Sequence, residues 1–77
     1  MTEQDRQDAL LHPRAGDVWE KTTKTSIKTR SVRMAGTWNV QWKCGTRYGD
    51  TLIGIAGFRK WASTAVLMKR GPNETGN

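Results

Sequence analysis

The chain has 77 residues, with 13 lysines and arginines against 7 aspartates and glutamates, and a formal net charge of +6 at pH 7. That length allows one domain at most and too little buried apolar surface for a deep pocket inside a large core. One cysteine excludes an intramolecular disulfide and a cysteine-based zinc site, and no apolar run reaches the length of a membrane span or a signal-peptide core, so no membrane partner and a reducing, cytoplasmic setting are expected.

The first segment, MTEQDRQDALLHPRAG, pairs Thr2 with Asp5 as a first-turn signal, and His12–Pro13 stops any helix there. A helix this short is marginal in water, so residues 1–15 are expected to be an arm that is disordered or packs as one frayed turn. GDVWEK turns at Gly16–Asp17 and enters a strand at Val18. The threonine-rich KTTKTS reads as a loop or splayed hairpin tip. SIKTRSVRM alternates as a strand with Val32 and Met34 on one face, and Ala35–Gly36 turns into TWNVQWKC, the clearest strand in the chain. GTRYGD is the next turn. TLIGIAG is a short apolar strand whose Gly54 signals a bend or a close backbone approach. In FRKWASTA the period changes: Phe58, Trp61, Ala62 and Ala65 take the spacing of a helix face. AVLMKRG is the last strand, and residues 72–77 form a polar tail, expected to be disordered.

Four short strands, a helical turn and a final strand, after a long first loop, follow the order of an SH3-like barrel. The expected fold is therefore mainly β: a small SH3-like five-stranded antiparallel barrel over residues 16–71, with one short helical or 3-10 turn before the last strand. AGDVWE resembles the Gly-Asp opening of the KOW-type members of that group, which include ribosomal and transcription-elongation modules that bind RNA. The rest of the KOW glycine pattern is absent, so no RNA-contact residue is carried over. Between Gly16 and Arg70, with GDVW at one end and FRKWA at the other, the chain also resembles small basic proteins encoded by phages and prophages, which implies such an origin.

Four tryptophans supply much of the buriable area. Trp38, Val40, Trp42 and Cys44 share one parity of their strand, against Thr37, Asn39, Gln41 and Lys43 on the other. If the tryptophans faced outward as a stacking platform, Asn39, Gln41 and Lys43 would need partners inside. The row therefore reads as core, facing Val32, Met34, Leu52, Ile55, Phe58 and Trp61, with Trp38 or Trp19 as a rim residue open to partial exposure. Cys44 reads as a small core residue.

The charge is uneven. Residues 1–17 carry two basic side chains against four acidic ones, whereas residues 18–71 carry eleven against two. A body that basic attracts polyanions. Asn39, Gln41 and Lys43 on one strand beside Lys28, Arg30 and Arg33 on its neighbour would form a polar, basic face for a phosphate backbone. Arg33 lies on the opposite parity from Lys28 and Arg30, so convergence requires a twist or bulge. Lys21 and Lys24 in the first loop, Arg47 and Tyr48 in the later turn, and Arg59 and Lys60 on the helical turn extend the candidate surface. Phosphate contacts are assigned to Lys28, Arg30, Arg33, Lys43 and Arg47, and stacking to Tyr48 or Trp38. His12 stands alone, Asp17 and Asp50 sit in glycine turns, and no phosphate loop, metal spacing or nucleophile elbow occurs. No enzyme and no cofactor are expected. The expected function is a nucleic-acid-binding module, for DNA or RNA, largely backbone-directed. The alternatives are docking on an acidic protein partner, as an inhibitor or assembly factor, and a structural module that pairs with itself.

Overall fold

A computed structural model of the protein describes residues 2–45 and 49–72. The elements in chain order are α1 (Glu3–Leu11), β1 (Val18–Thr22), β2 (Ile27–Ala35), β3 (Asn39–Cys44), β4 (Thr51–Gly54), α2 (Ile55–Ala62) and β5 (Val66–Lys69). All strand pairs are antiparallel, and the sheet order is β4-β3-β2-β1-β5. From β1 onward the order of strands and helix matches the sequence reading. The closed barrel does not form among the described residues: β4 and β5 are the two edges of an open sheet.

The inner face of the sheet carries the core. Trp19 of β1, Val32 of β2, Val40 and Trp42 of β3 and Leu67 of β5 are buried beneath Phe58 and Ala62 of α2. Phe58 stands edge-on to Trp19, with ring centroids 6.0 Å apart, and lies 5.7 Å from Trp42, which in turn meets Trp61 at 5.3 Å. These three-way aromatic contacts let one short helix cover a sheet poor in aliphatic residues. Trp19 is fully buried, and its indole N–H has no hydrogen-bond partner. That costs about 1–3 kcal/mol, against about 4–6 kcal/mol from burying the ring.

Trp38, Met34, Leu52 and Cys44, all expected in the core, lie outside it. Trp38 is 79% exposed. Its strand parity ends with the strand: Gly36 N–H donates to the carbonyl of Asn39, closing a turn, and β3 begins at Asn39. Met34 is exposed because the β2–β3 register shifts after Val32, leaving Arg33 as the extra residue of a bulge. The shift sets Met34 opposite Gln41 on the outer face and turns Ala35 inward opposite Val40. Leu52 is exposed because it also pairs with Gln41, while Ile53 takes the inward place beside Val40. Cys44 is half-buried at the end of its strand, against the core and not within it.

The N-terminal segment differs most from expectation. Residues 3–11 form α1, opened by a capping box in which Thr2 Oγ1 accepts from Asp5 N–H and Asp5 Oδ2 accepts from Thr2 N–H. Tertiary contacts stabilise a helix that would be marginal alone. Ala9 is buried, and Leu10 packs against the core. Arg59 donates to the carbonyls of Leu10 and Leu11, Arg70 to that of His12, and Arg6 to the carbonyls of Ala62, Ser63 and Ala65. The last turn of α1 has no basic residue of its own. The cations that satisfy its final carbonyls come from α2 and from the end of β5.

Asp17, read from the sequence as a glycine-turn residue, is the buried knot of this end. Its Oδ1 accepts from Gly71 N–H at 2.6 Å, and its Oδ2 accepts from Arg14 N–H at 2.9 Å and Arg70 Nη1 at 2.5 Å. Only glycine fits at 71, because a Cβ there would overlap the Ala15 carbonyl.

The Arg70 guanidinium beside Asp8 holds that carboxyl below the usual aspartate range, and hydrogen bonds from Thr2 do the same for Asp5. Both bind protons more weakly folded than unfolded, so their stabilisation is complete above about pH 4 and is lost as the pH falls through the lowered values. Amide NMR signals of residues 3–11 are expected to lose protection from exchange below about pH 4 before those of the sheet.

Candidate nucleic-acid interface

Cross-strand partners share a face of a sheet, so the register sorts the candidate residues. Arg30 pairs with Trp19 on one side and Cys44 on the other, and Lys28 pairs with Lys21. Lys21, Lys28 and Arg30 therefore lie on the inner face, at the margin of the packed core. Lys43 pairs with Ser31, and Asn39 and Gln41 share its outward parity. Arg33, extruded by the bulge, reaches outward to Asp50 at 3.8 Å, where Gln41 Nε2 also donates at 3.0 Å. The single basic face joining Lys28, Arg30, Arg33 and Lys43 does not form. The bulge moves Arg33 toward Asp50, not toward Arg30. Arg47 and Tyr48 lie outside the described residues.

The inner-face group has a focus that sequence inspection did not single out. Lys21 Nζ lies 4.5 Å from the centroid of the Trp61 ring, and the Arg30 guanidinium carbon lies 5.2 Å from the same ring and 5.8 Å from that of Trp42. Trp61 is half-buried at the C-terminal end of α2, so its π-face is the anchor that holds two cations near each other and near Lys28. The β1–β2 hairpin that carries them closes with a Thr23–Ser26 turn, in which Thr23 N–H and Oγ1 both donate to the Ser26 carbonyl. The threonine-rich segment is thus a tight hairpin tip with Lys24 exposed.

None of Lys21, Lys28 and Arg30 has a carboxylate partner among the described residues. Glu20, their nearest acid in sequence, pairs with Thr29 on the outer face. Two lysines directly opposite each other repel, and an anion lying across them would relieve that repulsion. The arginines of the other end are committed elsewhere. Arg6, Arg14, Arg59 and Arg70 all bond carbonyls or carboxylates around α1, which withdraws Arg59 from the candidate surface. Lys60 remains exposed beside Trp61 in sequence.

The outer face has a different character. Met34, Gln41 and Leu52 form one cross-strand row, with Met34 and Leu52 exposed, and Trp38 follows at the β2–β3 turn. Among the described residues no helix is long and apolar enough to cross a membrane. No family model matches the chain, and no curated protein or solved structure matches it either.

Proposed function

We propose that the protein binds nucleic acid by its phosphate backbone, with Lys21, Lys28 and Arg30 as the contacts around Trp61. The observation that carries this reading is a group of three cations, Lys21 and Arg30 over the Trp61 ring and Lys28 directly opposite Lys21, with no carboxylate among them in the described residues. Such a surface neutralises phosphates and releases counterions, which gives affinity with little sequence preference. Lys24 at the hairpin tip and Lys60 on α2 extend it, and Lys43, on the outer face, stands apart from it. The fold is read as SH3-like on the β1–β4 meander, the short helix after β4 and the return of β5 to β1. A phage or prophage origin rests on the GDVW and FRKWA resemblance.

Binding of labelled single- and double-stranded DNA and RNA across a salt series tests this function. A linear fall of log K with log salt is expected. The Lys28→Ala/Arg30→Ala double variant should lower affinity and shallow the slope by about 1–2, whereas Arg33→Ala, already paired with Asp50, should change little. Absence of binding at low salt would refute the reading. The second reading, docking on an acidic protein surface, draws on the same cations, with exposed Trp38, Met34 and Leu52 as apolar anchors. Trp38→Ala separates the two, since it should leave nucleic-acid affinity unchanged.

A further inference from the structure

Asp8 sits in the last turn of α1, where the helix dipole disfavours a negative charge. It is held there by guanidinium groups: Asp8 Oδ2 accepts from Arg70 Nη2 at 2.5 Å and lies 3.5 Å from Arg14 Nη2. Each arginine has a further side-chain partner besides Asp8: Arg70 bonds buried Asp17 and the His12 carbonyl, and Arg14 Nη1 meets the Gly71 carbonyl at 3.4 Å. The Asp8 side chain is 43% exposed, so this pair of guanidiniums opens to solvent on the side that Asp8 occupies.

We propose that Arg14 and Arg70 form a phosphate-binding subsite that Asp8 fills from within the chain, so that the N-terminal helix acts as an internal competitor for an anionic ligand. The one carboxylate oxygen shared by the two guanidiniums stands where a phosphate oxygen would stand, with one charge on the carboxylate where a phosphate monoester carries nearly two. The ligand class is a phosphate group, either a free or terminal monoester or the diester of a nucleic-acid backbone. The subsite is built from residues other than Lys21, Lys28 and Arg30 and stands or falls apart from them.

Thermal unfolding of the full chain carrying Asp8→Ala, with circular dichroism confirming the fold, tests the subsite. Inorganic phosphate is compared with chloride at matched ionic strength. The variant is expected to gain about 2–3 °C in Tm at a phosphate concentration equal to Kd, wild type less, and Asp8→Ala/Arg14→Ala nothing. A second arm uses a short oligonucleotide without terminal phosphates, and the arm with the larger gain identifies the ester class. The gain should persist when Lys28→Ala and Arg30→Ala are added, which separates it from the interface above. If Asp8→Ala does not fold, Asp8→Asn, which keeps a neutral acceptor on the helix, takes its place. No gain beyond chloride in either arm, or an equal gain without Arg14, overturns the proposal.

Discussion

Replacing Phe58 by Ala is expected to cost about 3–5 kcal/mol, a large part of the roughly 4–12 kcal/mol that a chain of this length holds in total. Phe58 is fully buried and, among the described residues, is the one ring that touches both Trp19 and Trp42, so its removal opens a cavity at the centre of the helix–sheet contact. The neighbours cannot collapse into the gap, because both indoles belong to paired strands whose register holds them. Urea denaturation followed by tryptophan fluorescence measures the loss, and the emission of the folded variant should shift to the red as Trp19 and Trp42 gain water. Phe58→Leu, which restores part of the volume, should recover part of the stability. A loss below about 1 kcal/mol would mean that α2 does not cover the sheet as described.

Asp17→Ala is expected to be of similar size, about 3–5 kcal/mol, for an electrostatic reason. The carboxylate is fully buried and satisfies the Gly71 and Arg14 N–H groups and the Arg70 guanidinium. Its removal leaves those donors without their acceptor, and among the described residues Arg70 retains only the partly exposed Asp8 as a counter-charge. Loss of Arg70 order would also release the His12 carbonyl and loosen α1. Asp17→Asn keeps one carbonyl acceptor and should lose less. The readouts are the denaturation midpoint and the exchange rates of the α1 amides. If α1 exchanges unchanged in Asp17→Ala, the knot does not hold the helix.

The strand order was legible because alternation is strongest where one face is buried. TWNVQWKC showed the inward parity of Val40 and Trp42, and FRKWA showed the helix face of Phe58 and Ala62. Where alternation was absent, as in TLIG, the inward residue was not readable, and pairing with Gln41 and Val40 chose Ile53 over Leu52. The bulge at Arg33 had no local signature, yet it reversed Met34 and left Arg33 on the face opposite Arg30. The candidate site was legible in its residue types and partly in its members: Lys28 and Arg30 belong to it, and Lys21 was named as part of the same loop. The Trp61 anchor was not legible, since the sequence assigned that ring to the core and only the approach of α2 to β1 and β2 sets it beneath two cations.

By itself the sequence determined a basic body with an acidic start, five strands in order, and a helix before the last of them. These follow from charge count, period and turn residues, which are local. The tertiary structure alone decided that the sheet stays open, that Trp38 faces water, that a weakly amphipathic N-terminal segment becomes a docked helix, and that the cations divide into two groups. Each of those outcomes depends on partners distant in the chain: Arg59 and Arg70 on the carbonyls of α1, Asp17 on Gly71, and Lys21 and Arg30 on Trp61. Hydrogen bonds and cation–π contacts of that kind leave no spacing in the sequence, because they join side chains that only folding brings within reach.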